Sequence, residues 1–164
     1  MKTLILVRHA KSSWDNLNLA DFDRPLNERG KLDGPEMAKR TKDRGIKIDL
    51  FISSPAKRAR KTAIFFLDEY DLSKKYLVLM PSLYEASIAN FYNVLESIDS
   101  KYNTVAVFSH NPGTTDFANQ LTNYQIDNMP TCGVFVVSFD AKNWSDFKDA
   151  EKEFLFFDFP KNPS

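Results

Sequence analysis

Each of the chain's 2 histidines stands just beyond an apolar run. His9 comes after Leu4-Ile5-Leu6-Val7 and Arg8, and His110 after Val105-Ala106-Val107-Phe108 and Ser109. A third apolar run, Ile48 to Ile52, leads through Ser53 into Ser54-Pro55, which is followed by Lys57, Arg58, Arg60 and Lys61. If these runs are strands that end at one edge of a sheet, the edge gathers two imidazoles, the guanidiniums of Arg8 and Arg58, and the N–H groups of a helix start. Charged donors converging in this way hold a tetrahedral anion. A histidine alone at a strand end is usually an ordinary surface residue, and it is the pairing with Arg8 and Arg58 that points to a shared site. The side chains of Lys57, Arg60 and Lys61 read as a solvated helix face. Cys132 and the two histidines form no ligand series at a recognised metal spacing, so no metal site is expected.

The elements needed to position these residues are legible. Apolar runs recur at Leu4–Val7, Ile48–Ile52, Tyr76–Leu79, Val105–Phe108 and Val134–Val137, with Phe154–Phe157 a possible sixth. Several lack alternation, as strands buried on both faces do. Between them, Ser54 as N-cap and Pro55 at the first helical position open a helix striped by Ala59, Thr62, Ala63, Phe66, Leu67 and Tyr70. Further helices are expected over Pro35–Arg44, with Gly45 at the C-cap, and over Ile88–Ser100 and Thr114–Leu121. Gly34-Pro35 is expected to delay the first of these by a turn. The order predicts a three-layer α/β/α sandwich with a mostly parallel central sheet, whose ligands gather at the carboxyl ends of the strands. The polar stretch Lys11–Gly30 is long for a strand-to-helix connection and suits a functional loop. The tail Lys161–Ser164 is expected to fray.

Composition narrows the function. The 164 residues, 43% of them hydrophobic, fit one domain spanning 1–164. The 22 basic and 22 acidic side chains cancel, so no long-range field collects nucleic acid or an anionic membrane, and neither is expected as a partner. The sole cysteine excludes an internal disulfide framework, and no run is long enough to span a bilayer; both features fit a cytoplasmic protein.

Four motifs in order, Leu6-Val7-Arg8-His9-Ala10, Arg24-Pro25-Leu26-Asn27-Glu28-Arg29-Gly30, Ser53-Ser54-Pro55-Ala56-Lys57-Arg58-Ala59 and Ser109-His110-Asn111-Pro112-Gly113, resemble the histidine phosphatase superfamily. The resemblance runs from Thr3 to about Phe139, and the short length is similar to its phosphohistidine phosphatase branch of SixA type. It implies a phosphoglycerate mutase-like fold and a phosphatase acting through a phosphohistidine intermediate, with no metal or cofactor. His9 would be the nucleophile, with Arg8 and Arg58 clamping the phosphoryl oxygens. His110, as imidazolium, would add positive charge. Glu85 resembles the position from which many superfamily members donate a proton, and the need for it depends on the leaving group, because protonated imidazole leaves a P–N bond readily while alkoxide does not.

Other residues are less determined. Arg24 either reaches the phosphate pocket or pairs with Asp21 or Asp23. Lys11, Ser12 and Ser13 follow His9 closely enough to bind a phosphoryl oxygen, and are equally explained as solvated loop. Asn111 either contacts substrate or shapes the backbone after His110 together with Pro112-Gly113. The expected partner is a phosphorylated protein carrying phosphohistidine or a small phosphomonoester. Competing functions are a mutase or small-metabolite phosphatase using the same chemistry, and a non-catalytic phosphate-binding adaptor.

Overall fold

The computed structural model describes residues 1–163, so Ser164 lies outside the described residues. The described residues form six strands: β1 (Lys2–Arg8), β2 (Leu50–Ser53), β3 (Leu77–Leu79), β4 (Thr104–Ser109), β5 (Val134–Phe139) and β6 (Lys152–Asp158). Four α-helices lie among them: α1 (Glu28–Asp43), α2 (Lys57–Glu69), α3 (Ile88–Glu96) and α4 (Gly113–Leu121). All six expected strands form. The sheet order is β3-β2-β4-β1-β5-β6.

The sheet is mixed, which corrects the expectation of a mostly parallel one. β1, β2, β3 and β4 are joined by parallel pairings, whereas β5 is antiparallel to both β1 and β6. The cause lies in the connection before β5. The segment after α4 stays at the carboxyl edge of β1, where the Cys132 N–H donates to the carbonyls of Arg8 and His9, and β5 therefore enters the sheet from that edge. This direction delivers Met129–Thr131 to the ends of β1 and β4.

Alternation along the central strands divides the core in two. Leu4, Leu6, Val105, Val107, Phe135 and Val137 pack beneath α3 and α4 with Phe91, Leu95 and Phe117. Ile5, Val7, Ala106, Phe108, Val134 and Val136 face α1 and α2 through Met37, Ala38, Ala63 and Phe66. Helices on both faces leave the strand ends as the place where polar groups can converge.

Two helix starts differ from expectation. Asn27 caps α1 by accepting from the Gly30 N–H at 2.9 Å, and the helix runs through Pro35 instead of waiting for it. Pro35 forfeits one backbone hydrogen bond. What keeps the helix continuous is its packing: Gly34 lies so close to the Phe65 ring on α2 that a Cβ would collide. In the other case α2 begins at Lys57, after Ala56, so Ser54-Pro55 precedes the helix. Ser54 is extended from β2 and its backbone N–H still bonds Phe108 across the sheet. At the far end of α1, Gly45 takes a positive φ of 82°, the left-handed conformation expected of a helix-ending glycine. The tail is tied down as far as Asn162: Arg40 donates to the carbonyls of Phe159, Pro160 and Asn162.

Candidate active site

β1, β4 and the β2–α2 junction bring Arg8, His9, Arg58 and His110 to one cavity of about 290 Å³, which Lys11, Ser12, Trp14, Arg24, Asn111 and Thr131 also line. The two imidazole centroids are 5.1 Å apart. His9 is only 6% exposed and His110 7%.

The setting of His9 fixes its tautomer. Its Nδ1 lies 2.7 Å from the Ala10 carbonyl oxygen, which can only accept, so Nδ1 carries the hydrogen. Nε2 then holds the lone pair, and Arg58 Nε donates to it at 3.4 Å. Burial pushes the His9 pKa down to about 3, the Ala10 carbonyl opposes this, and His110, Arg58 and Arg8 push it further down. At neutral pH the ring is uncharged and its Nε2 lone pair accepts the long hydrogen bond from Arg58.

Arg58 is held from behind. Its Nη1 donates to the Asp21 carbonyl oxygen at 2.7 Å and its Nη2 to Asp21 Oδ2 at 3.0 Å. The same carboxylate accepts from Tyr84 Oη at 2.6 Å and Arg24 Nε at 3.1 Å. Partial burial raises the Asp21 pKa, but the hydrogen bonds from Tyr84 and Arg58 outweigh it and bring it to about 2. Arg24 thus does both things that were left open: it pairs with Asp21, and it lines the cavity while donating to Ser12 Oγ at 2.8 Å and stacking on Trp14.

Arg8 Nη1 donates to the Met129 carbonyl at 2.8 Å, so the segment brought in by antiparallel β5 orients it. Burial and then Arg58 lower its pKa from the ordinary value. His110 Nε2 lies 2.8 Å from Ser54 Oγ. Among the described residues, Arg8 Nε and His110 Nδ1 are the buried side-chain nitrogens left without a partner. In the protein alone, burial first, then Arg58, bring the His110 pKa to about 4, with Asp21 opposing, so the ring is neutral at pH 7 before an anion binds.

The remaining candidates separate. Glu85 is exposed and lines an adjoining cavity of about 430 Å³ with Asp21, Tyr84 and His110. Ser13 does not line the cavity that holds His9 and His110; its hydroxyl accepts from the Asp15 N–H at 3.0 Å, and its neighbour Ser12 lines that cavity. The Asn111 amide is committed to Asn128, Met129, Thr114 and Thr115, so its side chain braces the loop after His110. Sequence reasoning missed Asp21 as an anchor for Arg58, Tyr84 as its partner, and Thr62, whose buried hydroxyl accepts from the Ala10 N–H and donates to the Arg58 carbonyl. Thr62 had a signal, a hydroxyl inside an otherwise apolar helix stripe.

An α/β sandwich whose strand ends gather two imidazoles and the guanidiniums of Arg8, Arg24 and Arg58 in one cavity places cationic donors around an uncharged His9 ring. Residues 4–91 match the histidine phosphatase superfamily (branch 1), and the chain belongs to that family. An uncharacterized chloroplastic protein of Arabidopsis thaliana is 31% identical over 153 residues, 88% of this chain and 70% of its own. A 2,3-bisphosphoglycerate-dependent phosphoglycerate mutase of Bartonella henselae is 35% identical over 86 residues, 51% of this chain but only 42% of the mutase. Among solved structures, the protein histidine phosphatase SixA complexed with tungstate superposes with a TM-score of 0.81 at 20% identity, covering 96% of each chain. Among the described residues no helix is long and apolar enough to cross a membrane.

Proposed function

We propose that the protein is a phosphohistidine phosphatase that removes phosphoryl groups from proteins through a covalent intermediate on His9. The observation that carries this reading is the pinned tautomer of His9: Nδ1–H is fixed on the Ala10 carbonyl and leaves Nε2 uncharged beside Arg58. Nε2 attacks phosphorus, an N–P bond forms, and the bond to the leaving group breaks with its electron pair going to that group. Arg8 and Arg58 hold the phosphoryl oxygens, and fixed donors of this kind are each worth about 10²- to 10³-fold in rate. A phosphoryl dianion offsets the guanidinium charges around His110, so its proton affinity rises when substrate is present. Water then attacks phospho-His9, releasing phosphate and restoring the neutral ring. Glu85, on the rim beside His110, supplies a proton where the leaving group is an alcohol.

Two features support a protein substrate and a hydrolytic outcome. The loop that rims the site exposes Trp14 (68%) and Leu17 (87%), apolar surface suited to a macromolecular partner. The β3–α3 connection at the other rim is short, leaving the cavity open to water. The donors are cationic, a poor setting for a metal ion, and the reading needs no cofactor. One sheet shared by both halves of the core supports a single domain over 1–164, and the single unpaired Cys132 suits the cytoplasm.

The test is phosphate release from phosphohistidine and from an aryl phosphate in metal-free buffer. His9→Ala should abolish both, and Glu85→Gln should spare phosphohistidine while slowing the aryl ester. Efficient turnover of a sugar phosphate with strict dependence on Glu85 would replace this reading with a small-metabolite phosphatase, and phosphate binding without any turnover would make the chain an adaptor.

A further inference from the structure

A second cavity, about 370 Å³, adjoins the catalytic one and shares Lys11 and Thr131 with it. Its remaining walls include Arg29 and Asp33 of α1, Phe159 and Lys161. Three cations thus face one carboxylate, and that carboxylate is already paired, with Arg29 Nε 3.1 Å from Asp33 Oδ2. The Arg29 side chain remains 52% exposed. The tail wall is firm, because Arg40 holds the carbonyls of Phe159 and Pro160 at 3.1 Å. The cavity of about 430 Å³ that shares Arg58, His110 and Asn111 with the catalytic one carries the exposed carboxylate of Glu85, while its other carboxylate, Asp21, is paired with Arg58 and Arg24.

A chain carrying the phosphorylated residue can leave the catalytic cavity across the flank that shares Lys11 and Thr131 with it. Acidic side chains are attracted to the Lys11–Arg29–Lys161 side, where two cations remain after the Arg29–Asp33 pair is set aside, and meet the exposed Glu85 carboxylate on the other. Phe159 adds an apolar wall, and the volume exceeds what one carboxylate needs. We infer that this cavity is a docking subsite for an acidic peptide segment lying on one side of the phosphorylated histidine in the protein substrate. The inference rests on the phosphohistidine reading and adds to it a direction and a charge for the substrate.

The experiment compares kcat/KM for free phosphohistidine and for three phosphohistidine peptides, with an acidic segment before the phosphoresidue, after it, or absent. Wild type should favour one of the two acidic peptides by about fivefold to tenfold at low salt, the sum of a few partly screened charge pairs, with the preference shrinking at about 0.5 M salt. Arg29→Gln and, separately, Lys161→Glu should reduce that preference while leaving free phosphohistidine turnover within about twofold. Lys161 is exposed in the tail, so its substitution keeps the test valid if loss of the Arg29–Asp33 pair weakens folding. Equal turnover of all three peptides, or a preference that survives both substitutions, overturns the subsite while the phosphohistidine reading stands. Failure to hydrolyse any phosphohistidine compound, with an aryl phosphate still hydrolysed, overturns the phosphohistidine reading and the subsite with it.

Discussion

Asp21 is the residue through which the guanidiniums of Arg58 and Arg24 are braced. It engages both terminal nitrogens of Arg58, the Nε of Arg24 and the hydroxyl of Tyr84, and it stays ionised down to a pH of about 2. Its charge also opposes an incoming phosphoryl dianion, so its two effects can be told apart. Asp21→Asn should lower kcat by about tenfold, less than loss of a direct donor, because Arg58 and Arg24 lose a fixed orientation. Inhibition by inorganic phosphate should become no weaker, since a repelling charge has gone. Unchanged kcat would remove Asp21 from the machinery. At this scale the sequence revealed the four groups of the cluster, because each directly follows a strand or opens a helix. It offered Asp21 only as a partner of Arg24 and not as the anchor of Arg58, because Asp21 sits in a short 3-10 turn inside a long loop and is brought to Arg58 only by the folded path of that loop.

Between elements, Thr62 links the segments that carry His9 and Arg58. Its hydroxyl is fully buried, accepts from Ala10 N–H at 2.9 Å and donates to the Arg58 carbonyl at 2.7 Å, so β1 and α2 are set relative to one another at the point where His9 and Arg58 meet. Thr62→Val keeps the shape and strands the Ala10 N–H. It should destabilise the fold by about 1–3 kcal/mol in chemical denaturation and reduce kcat/KM as well. A variant as stable as wild type would mean that the Ala10 N–H finds another partner. The stripe on α2 was readable from its 3.6-residue spacing, and Ala59, Thr62, Ala63, Phe66 and Leu67 are all buried. The start of the helix was not, because the Ser54 N–H is held by the Phe108 carbonyl across the sheet, Pro55 lies in the bend that follows, and the Ser54 hydroxyl lies against His110 instead of capping the helix. Local capping preference gave way to tertiary pairing. Likewise α1 runs through Pro35 because Asn27 caps it early and Gly34 lets it pack closely on α2.

For the molecule as a whole, two buried imidazoles make stability depend on pH. His9 and His110 titrate at about 3 and about 4 in the folded protein, against 6.5 when exposed. Below pH 6.5 the unfolded chain therefore takes up protons that the folded one does not, and stability falls as pH drops toward 4. Asp21, depressed to about 2 from 3.8, adds a further loss below pH 3.8. Melting temperature measured from pH 7.5 to 4.5 should decline steadily below 6.5, and the double substitution His9→Gln/His110→Gln should flatten the slope; a flat wild-type profile contradicts the neutral burial of both rings. The sequence by itself determined the six strands, the helix between each pair in the first half, and the meeting of Arg8, His9, Arg58 and His110, because burial pattern and chain direction are local properties that a parallel arrangement converts into shared strand ends. Tertiary structure alone decided that β5 runs antiparallel, that the His110 pKa is lowered in the ligand-free protein, and that Asp21 braces Arg58. Each of these depends on what lies nearby in space: the path of a loop, the loss of water around a ring, and the summed field of charges far apart in the chain.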